Sequence, residues 1–282
     1  MGPGCEGMAV PGRGDRLTAL AQVDLSAFWL PLLRRLTDVC PAWGIWKNAD
    51  AALAGSGDMD SAAPVAAWDS IVSELRRWAK ENALGPVAEC RHVDGVLFLL
   101  ALDRENSGFV ELDVNARKYF RGWTLFHAED LAPLMEIDAR GFRRLRPGAE
   151  GVMLLLGNGT RWGGRPNSEG LRRKRIAEVL RQDPAGIEAT GACLFGPARH
   201  ALMRAAEHVA RGEWDRRSML AVEAWALARA IAEPGVVAGR LRSRPVKKSC
   251  PVLRTIFTDN RRMPADFDSW LEHVRAAHPV YE

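Results

Sequence analysis

The sequence lacks the features that mark several large classes of protein. No uncharged apolar stretch approaches the roughly 18 residues that a membrane-spanning helix needs, since the longest compact apolar run, residues 95–102, has the length of a strand. The glycine-rich residues 1–16 have no apolar core of a signal peptide. Five scattered cysteines form no CxxC pair, which excludes a zinc ribbon or a CxxC redox motif. We therefore expect a cytoplasmic protein with reduced thiols and no membrane segment.

A strong excess of charge of one sign is also absent. The chain carries 39 basic and 35 acidic residues, a net charge of +4, which permits an anionic ligand but does not indicate nucleic-acid binding. Hydrophobic residues make up 47% of the 282 residues and charged residues 26%, the balance of a globular protein that can bury a core. The length fits two domains of modest size.

Hydrophobic periodicity in the first half predicts a small sheet with flanking helices. Apolar residues recur at helical spacing in two segments, and Pro64 is well placed at the start of the second. Asp94-Gly95 between two β-rich runs is the signature of a hairpin turn. The predicted helices cover residues 17–39 and 64–83, and the predicted strands cover residues 43–46, 87–93, 96–102 and 109–114.

The second half is predicted to be helical. Beyond about Leu131 the apolar positions recur with a period of 3.6 residues and no strand pair is recognised. We therefore predict an α+β fold, in which a small mixed β-sheet with flanking helices is followed by an α-helical domain. The expected divisions are a flexible tail over residues 1–16, the sheet domain over 17–132 and the helical domain over 133–282. The helices predicted in the second half cover residues 169–182, 197–212, 214–233 and 264–277.

Two carboxylates one residue apart are the clearest candidates for chemistry. Asp58 and Asp60 point to the same side if their segment is extended, and they can then share a divalent cation. A third carboxylate on a neighbouring strand completes a two-metal site. Two Mg²⁺ ions about 3.5–4 Å apart activate an attacking oxygen and stabilise a leaving pyrophosphate in an in-line displacement.

Two residues are candidates for the third carboxylate. Period-2 alternation places Glu111 and Asp113 on one face of the strand predicted at 109–114, and in a small sheet this strand is expected to return beside the first strand. Asp113 is preferred because apolar residues flank it on both sides.

A resemblance to a known family is carried by Ile45-Trp46-Lys47-Asn48-Ala49 and by the Gly-Ser-Gly-Asp-Met-Asp run that ends at Asp60. Together with the order of the elements over residues 17–114, these motifs resemble the polymerase β-like nucleotidyltransferase superfamily, in particular its uncharacterised bacterial branch. The resemblance implies an enzyme that uses Mg²⁺ or Mn²⁺. It would transfer a nucleoside monophosphate from a nucleoside triphosphate to an acceptor and release pyrophosphate.

The resemblance also implies roles for individual residues. Asp58 and Asp60 are the implied metal ligands, and Asp113 is the third carboxylate, which activates the acceptor hydroxyl. Lys47 is implied to meet the triphosphate, and the basic residues that follow Asp113 along the chain are expected near the phosphates. The implied nucleotide-binding residues are Lys47, Gly55, Ser56, Lys118 and Arg121.

The sequence leaves alternatives for the type of acceptor and for whether the protein is an active enzyme. A small-molecule acceptor is favoured over transfer RNA because the chain is only mildly basic. The superfamily's Gly-Ser pair normally stands well before the D-x-D, where this chain has Trp46-Lys47, and this departure favours a catalytically inactive nucleotide-binding module. Arginine-rich stretches favour an RNA-binding or toxin-like protein, although most are expected on solvated faces. These stretches cover residues 140–146, 172–175 and 240–248.

Two further features receive a structural interpretation. Four tryptophans of the first half, Trp43, Trp46, Trp68 and Trp78, are predicted to belong to the core, although one at the mouth of a cleft could stack on a base. The glycine-rich residues 157–165 are predicted to be a flexible connector that can close over a substrate. The sequence does not indicate an oligomeric state.

Overall fold

The computed structural model describes residues 25–55, 59–103, 108–167, 170–233, 235 and 253–256. Ser56 and Asp58 lie outside these residues, as do the predicted tail, the first part of the helix predicted at 17–39 and the whole helix predicted at 264–277. The helices that the structure describes are α1 (Ser26–Val39), α2 (Ala49–Leu53), α3 (Trp68–Glu81), α4 (Pro147–Leu154), α5 (Gly170–Gln182), α6 (Pro184–Leu194), α7 (Arg199–Ala210) and α8 (Arg216–Ala232). The strands are β1 (Gly44–Lys47), β2 (Met59–Ala62), β3 (Val87–Val93), β4 (Val96–Asp103), β5 (Gly108–Asn115), β6 (Arg117–Phe120), β7 (Trp123–His127), β8 (Met135–Ile137), β9 (Arg143–Leu145), β10 (Thr160–Arg161), β11 (Arg165–Pro166) and β12 (Leu253–Ile256).

Eight of these strands form one mixed sheet in the order β12-β3-β4-β5-β2-β1-β9-β8. β2 pairs with β5 in parallel, and so does β1 with β9, while the other neighbours are antiparallel. The parallel pairing of β2 with β5 needs a long connection, which α3 and the β3–β4 hairpin supply. The mixed sheet with its helices confirms the predicted α+β class.

The first hydrophobic core lies on the sheet face that α1 and α3 cover. Leu112 and Val114 of β5 are fully buried in this core, while Asp113 between them faces the other way, as the alternation predicts. The predicted apolar stripe of α3 packs here because its spacing places these side chains on one side of the helix. The stripe consists of Trp68, Ile71, Val72, Leu75 and Trp78.

A second hydrophobic core lies on the opposite face of the sheet. Trp46 of β1 and Ala62 of β2 belong to it together with side chains of the β6–β7 hairpin and of α4 to α8. The four tryptophans predicted to be core residues are all buried, in one core or the other. The sheet is therefore covered on both faces. Within the described part of the chain no helix is long and apolar enough to cross a membrane.

The structure differs from the sequence-based expectation after Leu131. β8 and β9 join the sheet beside β1, within residues predicted to be helical, and α4 and α6 were not predicted. Three-residue strands are too short to show an alternation, so periodicity cannot detect them. The helices predicted at 197–212 and 214–233 are confirmed by α7 and α8.

The predicted flexible connector at 157–165 is wrong, because these residues include most of the β10–β11 hairpin, which packs against α8. The Gly164 amide donates to Glu223 Oε2 at 2.7 Å, and Trp214 Nε1 donates to the Gly164 carbonyl at 2.8 Å. Gly164 has a positive φ of +61°, and a Cβ there would lie 3.0 Å from backbone and side-chain atoms of α8. Gly164 therefore serves close packing and a left-handed turn rather than mobility.

Candidate functional site

A row of charged side chains crosses the middle of the sheet on the face of the second core. Lys47 of β1 is the register partner of Asp60 on β2, and Asp60 is the partner of Asp113 on β5. Register partners on neighbouring strands point to the same face, so the three side chains are adjacent. The structure therefore brings together three residues that the sequence assigns to one site.

Lys47 and Asp60 form an ion pair in a nearly dry environment. Lys47 Nζ lies 2.9 Å from Asp60 Oδ2, and the two side chains are 18% and 10% exposed. The same ammonium lies 5.0 Å from the centroid of the Trp46 ring, which adds a cation–π contact.

Lys118 brings a second ammonium group to the same place from β6. Its Nζ lies 5.5 Å from the Trp46 centroid, so Trp46 contacts both lysines. Burial and the positive charge of Lys47 lower the pKa of Lys118, while Asp60 and Asp113 act in the opposite direction. Lys47, Asp60, Asp113 and Lys118 thus form a partly buried group of two cations and two anions, which we call the lysine–aspartate cluster.

The register distinguishes the two candidates for the third carboxylate. Asp113 stands directly beside Asp60, whereas Glu111 lies two residues away along β5, opposite Leu100 of β4. Burial, helped by the carboxylates of Glu111 and Glu89, raises the pKa of the Cys90 thiol on β3 to about 12. The register of β2 and β5 therefore favours Asp113 as the third carboxylate, while Glu111 is one of the charges that act on Cys90.

The carboxylates of the cluster suit a divalent metal ion in kind, because Mg²⁺ prefers oxygen ligands. The described residues contribute two such carboxylates, Asp60 and Asp113, and among these residues no group of three or more acidic, histidine or cysteine side chains is arranged to hold a metal. Asp58, the third implied ligand, lies outside the described residues. A metal ion that binds Asp60 would displace the ammonium group of Lys47 from this carboxylate.

Two of the predicted nucleotide-binding residues have other contacts. The Gly55 amide donates to the Ala52 carbonyl at 3.0 Å and closes the end of α2. Arg121 donates to Glu223 Oε1 of α8 at 2.6 Å, and it also bonds the Thr160 carbonyl. The hydrogen bonds of Arg121 thus join the β6–β7 hairpin to α8 and β10, and its proposed contact with phosphate stays a prediction.

Arg140 and Arg144 of the stretch at 140–146 belong to a partly buried network of ion pairs rather than to a solvated face. Arg144, whose side chain is 11% exposed, donates to Asp50 at 3.0 Å and to Glu150 at 2.8 Å. Arg140 donates to Asp138 at 2.7 Å and to Asp50 at 2.6 Å. These five residues, which we call the arginine network, connect β9 to α2 and α4.

The remaining basic stretches are distributed over the helices. Arg143 donates to backbone carbonyls after α1, and Arg146 pairs with Asp183. The stretch at 172–175 borders a surface pocket of about 380 Å³, and the stretch at 240–248 lies outside the described residues. The charged residues that line the pocket are Arg173, Lys174, Glu178, Arg181 and Arg211.

Sequence reasoning missed two aromatic residues with functional geometry. Trp46 was predicted as a core residue, with stacking on a base left open for one of the four tryptophans, yet its ring contacts the ammonium groups of Lys47 and Lys118. Trp162 lies in the misjudged connector, and its side chain is exposed next to Arg121. A tryptophan beside a lysine, as in Trp46-Lys47, was the one local signal that could have indicated the first contact.

Comparisons of the chain with protein-family models, with curated proteins and with solved structures find no match.

Proposed function

We propose that this protein is a metal-dependent nucleotidyltransferase. It would transfer a nucleoside monophosphate from a nucleoside triphosphate to an acceptor and release pyrophosphate. The observation that carries the proposal is the register of β2 and β5, which sets the carboxylates of Asp60 and Asp113 side by side. The nucleotidyltransferase-like fold of residues 17–132, the helical domain over 133–282 and the cytoplasmic location are parts of the same proposal.

The carboxylates have two roles in this proposal. Asp58, Asp60 and Asp113 would hold Mg²⁺ or Mn²⁺, which supplies charge stabilisation for the in-line displacement when it is bound. Asp113 would also accept the proton of the acceptor hydroxyl, because it lies at the side of Asp60 that faces away from Lys47.

The lysines would bind the triphosphate. Lys47 is held 2.9 Å from Asp60, and it can turn to a phosphate oxygen when a metal ion neutralises that carboxylate. Burial and Lys47 lower the pKa of Lys118, so a nearby polyanion would favour its charged form. Trp46 keeps both ammonium groups over one rigid ring. A small molecule is the favoured acceptor because the chain is only mildly basic.

Binding of nucleotide and metal can be tested without knowing the acceptor. We would measure the free energy of unfolding in urea with each nucleoside triphosphate, with and without Mg²⁺ or Mn²⁺. A ligand at 100 times its Kd stabilises the folded state by about 2.7 kcal/mol. We expect this stabilisation in the wild type, and we expect Asp60→Asn and Asp113→Asn to abolish the part that depends on metal.

Glu111→Gln is the matched control, because Glu111 lies on the same face of β5 two residues from Asp113. This variant should keep the metal-dependent stabilisation. Failure of every triphosphate to stabilise the wild type, with either metal, would contradict the proposal. If Glu111→Gln and Asp113→Asn lose the metal-dependent stabilisation equally, the assignment of Asp113 as the third carboxylate is wrong.

A catalytically inactive nucleotide-binding module is the second candidate. The ion pair of Lys47 with Asp60 favours it, since an ammonium group already neutralises a carboxylate that the enzyme would use for metal. This candidate predicts stabilisation by a triphosphate that is the same in EDTA and in Mg²⁺.

A further inference from the structure

The β10–β11 hairpin exposes a tryptophan. Trp162 is 63% exposed, in contrast to the tryptophans of the two cores, which are at most 6% exposed. An aromatic ring of this size in water carries a substantial hydrophobic cost. Tryptophan is enriched where protein surfaces contact partners, so this ring on an ordered hairpin is a candidate contact for a ligand.

A chain of contacts holds one side of this ring in place. The guanidinium of Arg121 lies 4.5 Å from the Trp162 centroid. Glu223 anchors this guanidinium through one carboxylate oxygen, and it binds the Gly164 amide through the other. Arg121 itself has a φ of +52°, a left-handed conformation that non-glycine residues rarely adopt. The ring is thus positioned in advance, with its other side toward solvent.

Two cations converge at Gly163, the residue that follows Trp162 in the hairpin. Arg165 Nε and Arg216 Nη2 each lie 4.0 Å from the point where a Cβ on Gly163 would stand, and Arg216 Nε donates to the Gly163 carbonyl at 3.1 Å. Both residues are exposed, and neither forms an ion pair with a carboxylate of the described residues. Two neighbouring guanidinium groups without an acidic partner favour an anion between them, and a phosphate matches their planar donors.

We propose that Trp162, Arg165 and Arg216 form a binding surface for a nucleobase and its adjoining phosphate. We call this surface the Trp162 platform. The base stacks on the solvent side of the indole, and the phosphate accepts hydrogen bonds from the two guanidinium groups. The same chemistry is present in a free nucleotide and in single-stranded nucleic acid. The inference does not require that the lysine–aspartate cluster be catalytic.

The platform adjoins the lysine–aspartate cluster along one strand. Lys118 and Arg121 are three residues apart, on β6 and the turn after it, which corresponds to roughly 10 Å of extended chain. The arginine that supports the Trp162 ring and one lysine of the cluster therefore lie on the same hairpin.

The test is a fluorescence anisotropy titration of a labelled single-stranded oligouridylate in EDTA, so that no metal contributes. We expect Trp162→Ala to raise Kd about five- to 150-fold, the effect of losing one base–aromatic stack. Trp162→Phe should retain most of the affinity. Ile231→Ala is the control, because Ile231 of α8 is 78% exposed and its loss also removes exposed apolar surface.

Two additional measurements separate stacking from charge and one ligand source from the other. The double variant Arg165→Ala and Arg216→Ala should bind with a weaker salt dependence. The slope of the logarithm of the binding constant against the logarithm of the salt concentration should fall in magnitude by about one for each lost phosphate contact. Competition by uridine monophosphate identifies a free nucleotide as the ligand, and binding of the oligonucleotide alone identifies single-stranded nucleic acid. Either result supports the platform.

An unchanged Kd in Trp162→Ala overturns the inference, and so does the absence of binding by both the oligonucleotide and the mononucleotide. Displacement by tripolyphosphate that is as strong as displacement by nucleotide also overturns it, because charge alone would then explain binding. The oligonucleotide titration contains no metal, so it does not depend on the metal site that the proposed enzymatic function requires. Failure of the proposed enzymatic function and failure of the platform therefore give different results.

Discussion

The arginine network and the lysine–aspartate cluster are both groups of partly buried opposite charges, but their protein partners stabilise the cations to different degrees. The guanidinium of Arg144 donates to three carboxylates. Burial alone would lower the pKa of Arg144, yet Glu150 and Asp50 raise it. In the cluster, burial and the neighbouring Lys47 prevail, and the pKa of Lys118 is lowered.

The direction of the shift shows what each group is suited for. A buried cation whose charged form is fully stabilised by fixed partners holds elements together, as Arg144 does for β9, α2 and α4. A buried cation whose charged form is disfavoured gains stability when an anion arrives. The comparison therefore separates a structural network from a candidate ligand site, although both are made of the same residue types.

Removal of the central arginine should have the largest effect. Arg144→Met leaves Glu150, whose side chain is 4% exposed, as an uncompensated buried charge. Breaking a buried pair in this way typically costs ~3–5 kcal/mol, so we expect a loss of this size in the free energy of unfolding measured in urea.

Lys47→Met is the matched removal of a cation from the cluster. Its loss should be less than half of that in Arg144→Met, because Lys118 remains to neutralise Asp60 and Asp113. Equal losses would show that the cluster is as structural as the network, and the comparison would fail.

The next largest effect is expected at low pH, where the free energy of unfolding depends on the ionisation of Asp138 in the arginine network. The side-chain hydrogen bond from Arg140 lowers the pKa of Asp138 to about 2 from 3.8, although burial opposes this. The ionised form therefore stabilises the fold above pH 3.8, and this contribution is lost as the pH falls from 3.8 to about 2. The contribution is on the order of 2 kcal/mol.

Asp138→Asn removes the titrating group. Urea unfolding at a series of pH values should show a flatter profile for this variant than for the wild type between pH 4 and 2. Parallel profiles would mean that Arg140 does not hold Asp138 ionised.

The smallest expected effect is a change of the free energy of unfolding at alkaline pH, caused by Lys118 of the cluster. Because the pKa of Lys118 is lowered in the fold, the unfolded chain binds more protons between that pKa and the ordinary value of 10.5. Stability should therefore rise with pH across this window, and Lys118→Met should lose the rise. The titration of the Lys118 side chain by NMR gives the pKa directly, and added triphosphate should raise it. A pKa that triphosphate leaves unchanged would remove Lys118 from the proposed site.

Local patterns predicted a large part of the fold. The stripe of α3 and the hairpin at Asp94-Gly95 depend on residues close in sequence, so periodicity and turn chemistry detect them. The pairing of β9 with β1 joins Ile45 to Arg144, and no local signal reports a partner that distant. The arginine network was missed for the same reason, since Asp50 lies far from Arg144 in the chain.

The candidate site was predicted to a similar extent. The proximity of Asp113 to Asp60 was expected from the return of the last predicted strand, but the residues of β2, which carries Asp60, were predicted as a loop. Lys118 was expected near the site because it follows Asp113 along the chain. The contacts of Arg121 were beyond such reasoning, because they depend on a left-handed turn and on a glutamate in α8.

The parallel pairing of β9 with β1 has a consequence for dividing the chain. β1 carries Lys47 and lies between β2 and β9, so a fragment cut after residue 132 would leave one side of β1 without its neighbour. The exposed backbone of a short strand that contains Ile45 and Trp46 is a template for pairing with other chains. Such a fragment should aggregate, whereas one that extends past Leu145 keeps this edge covered.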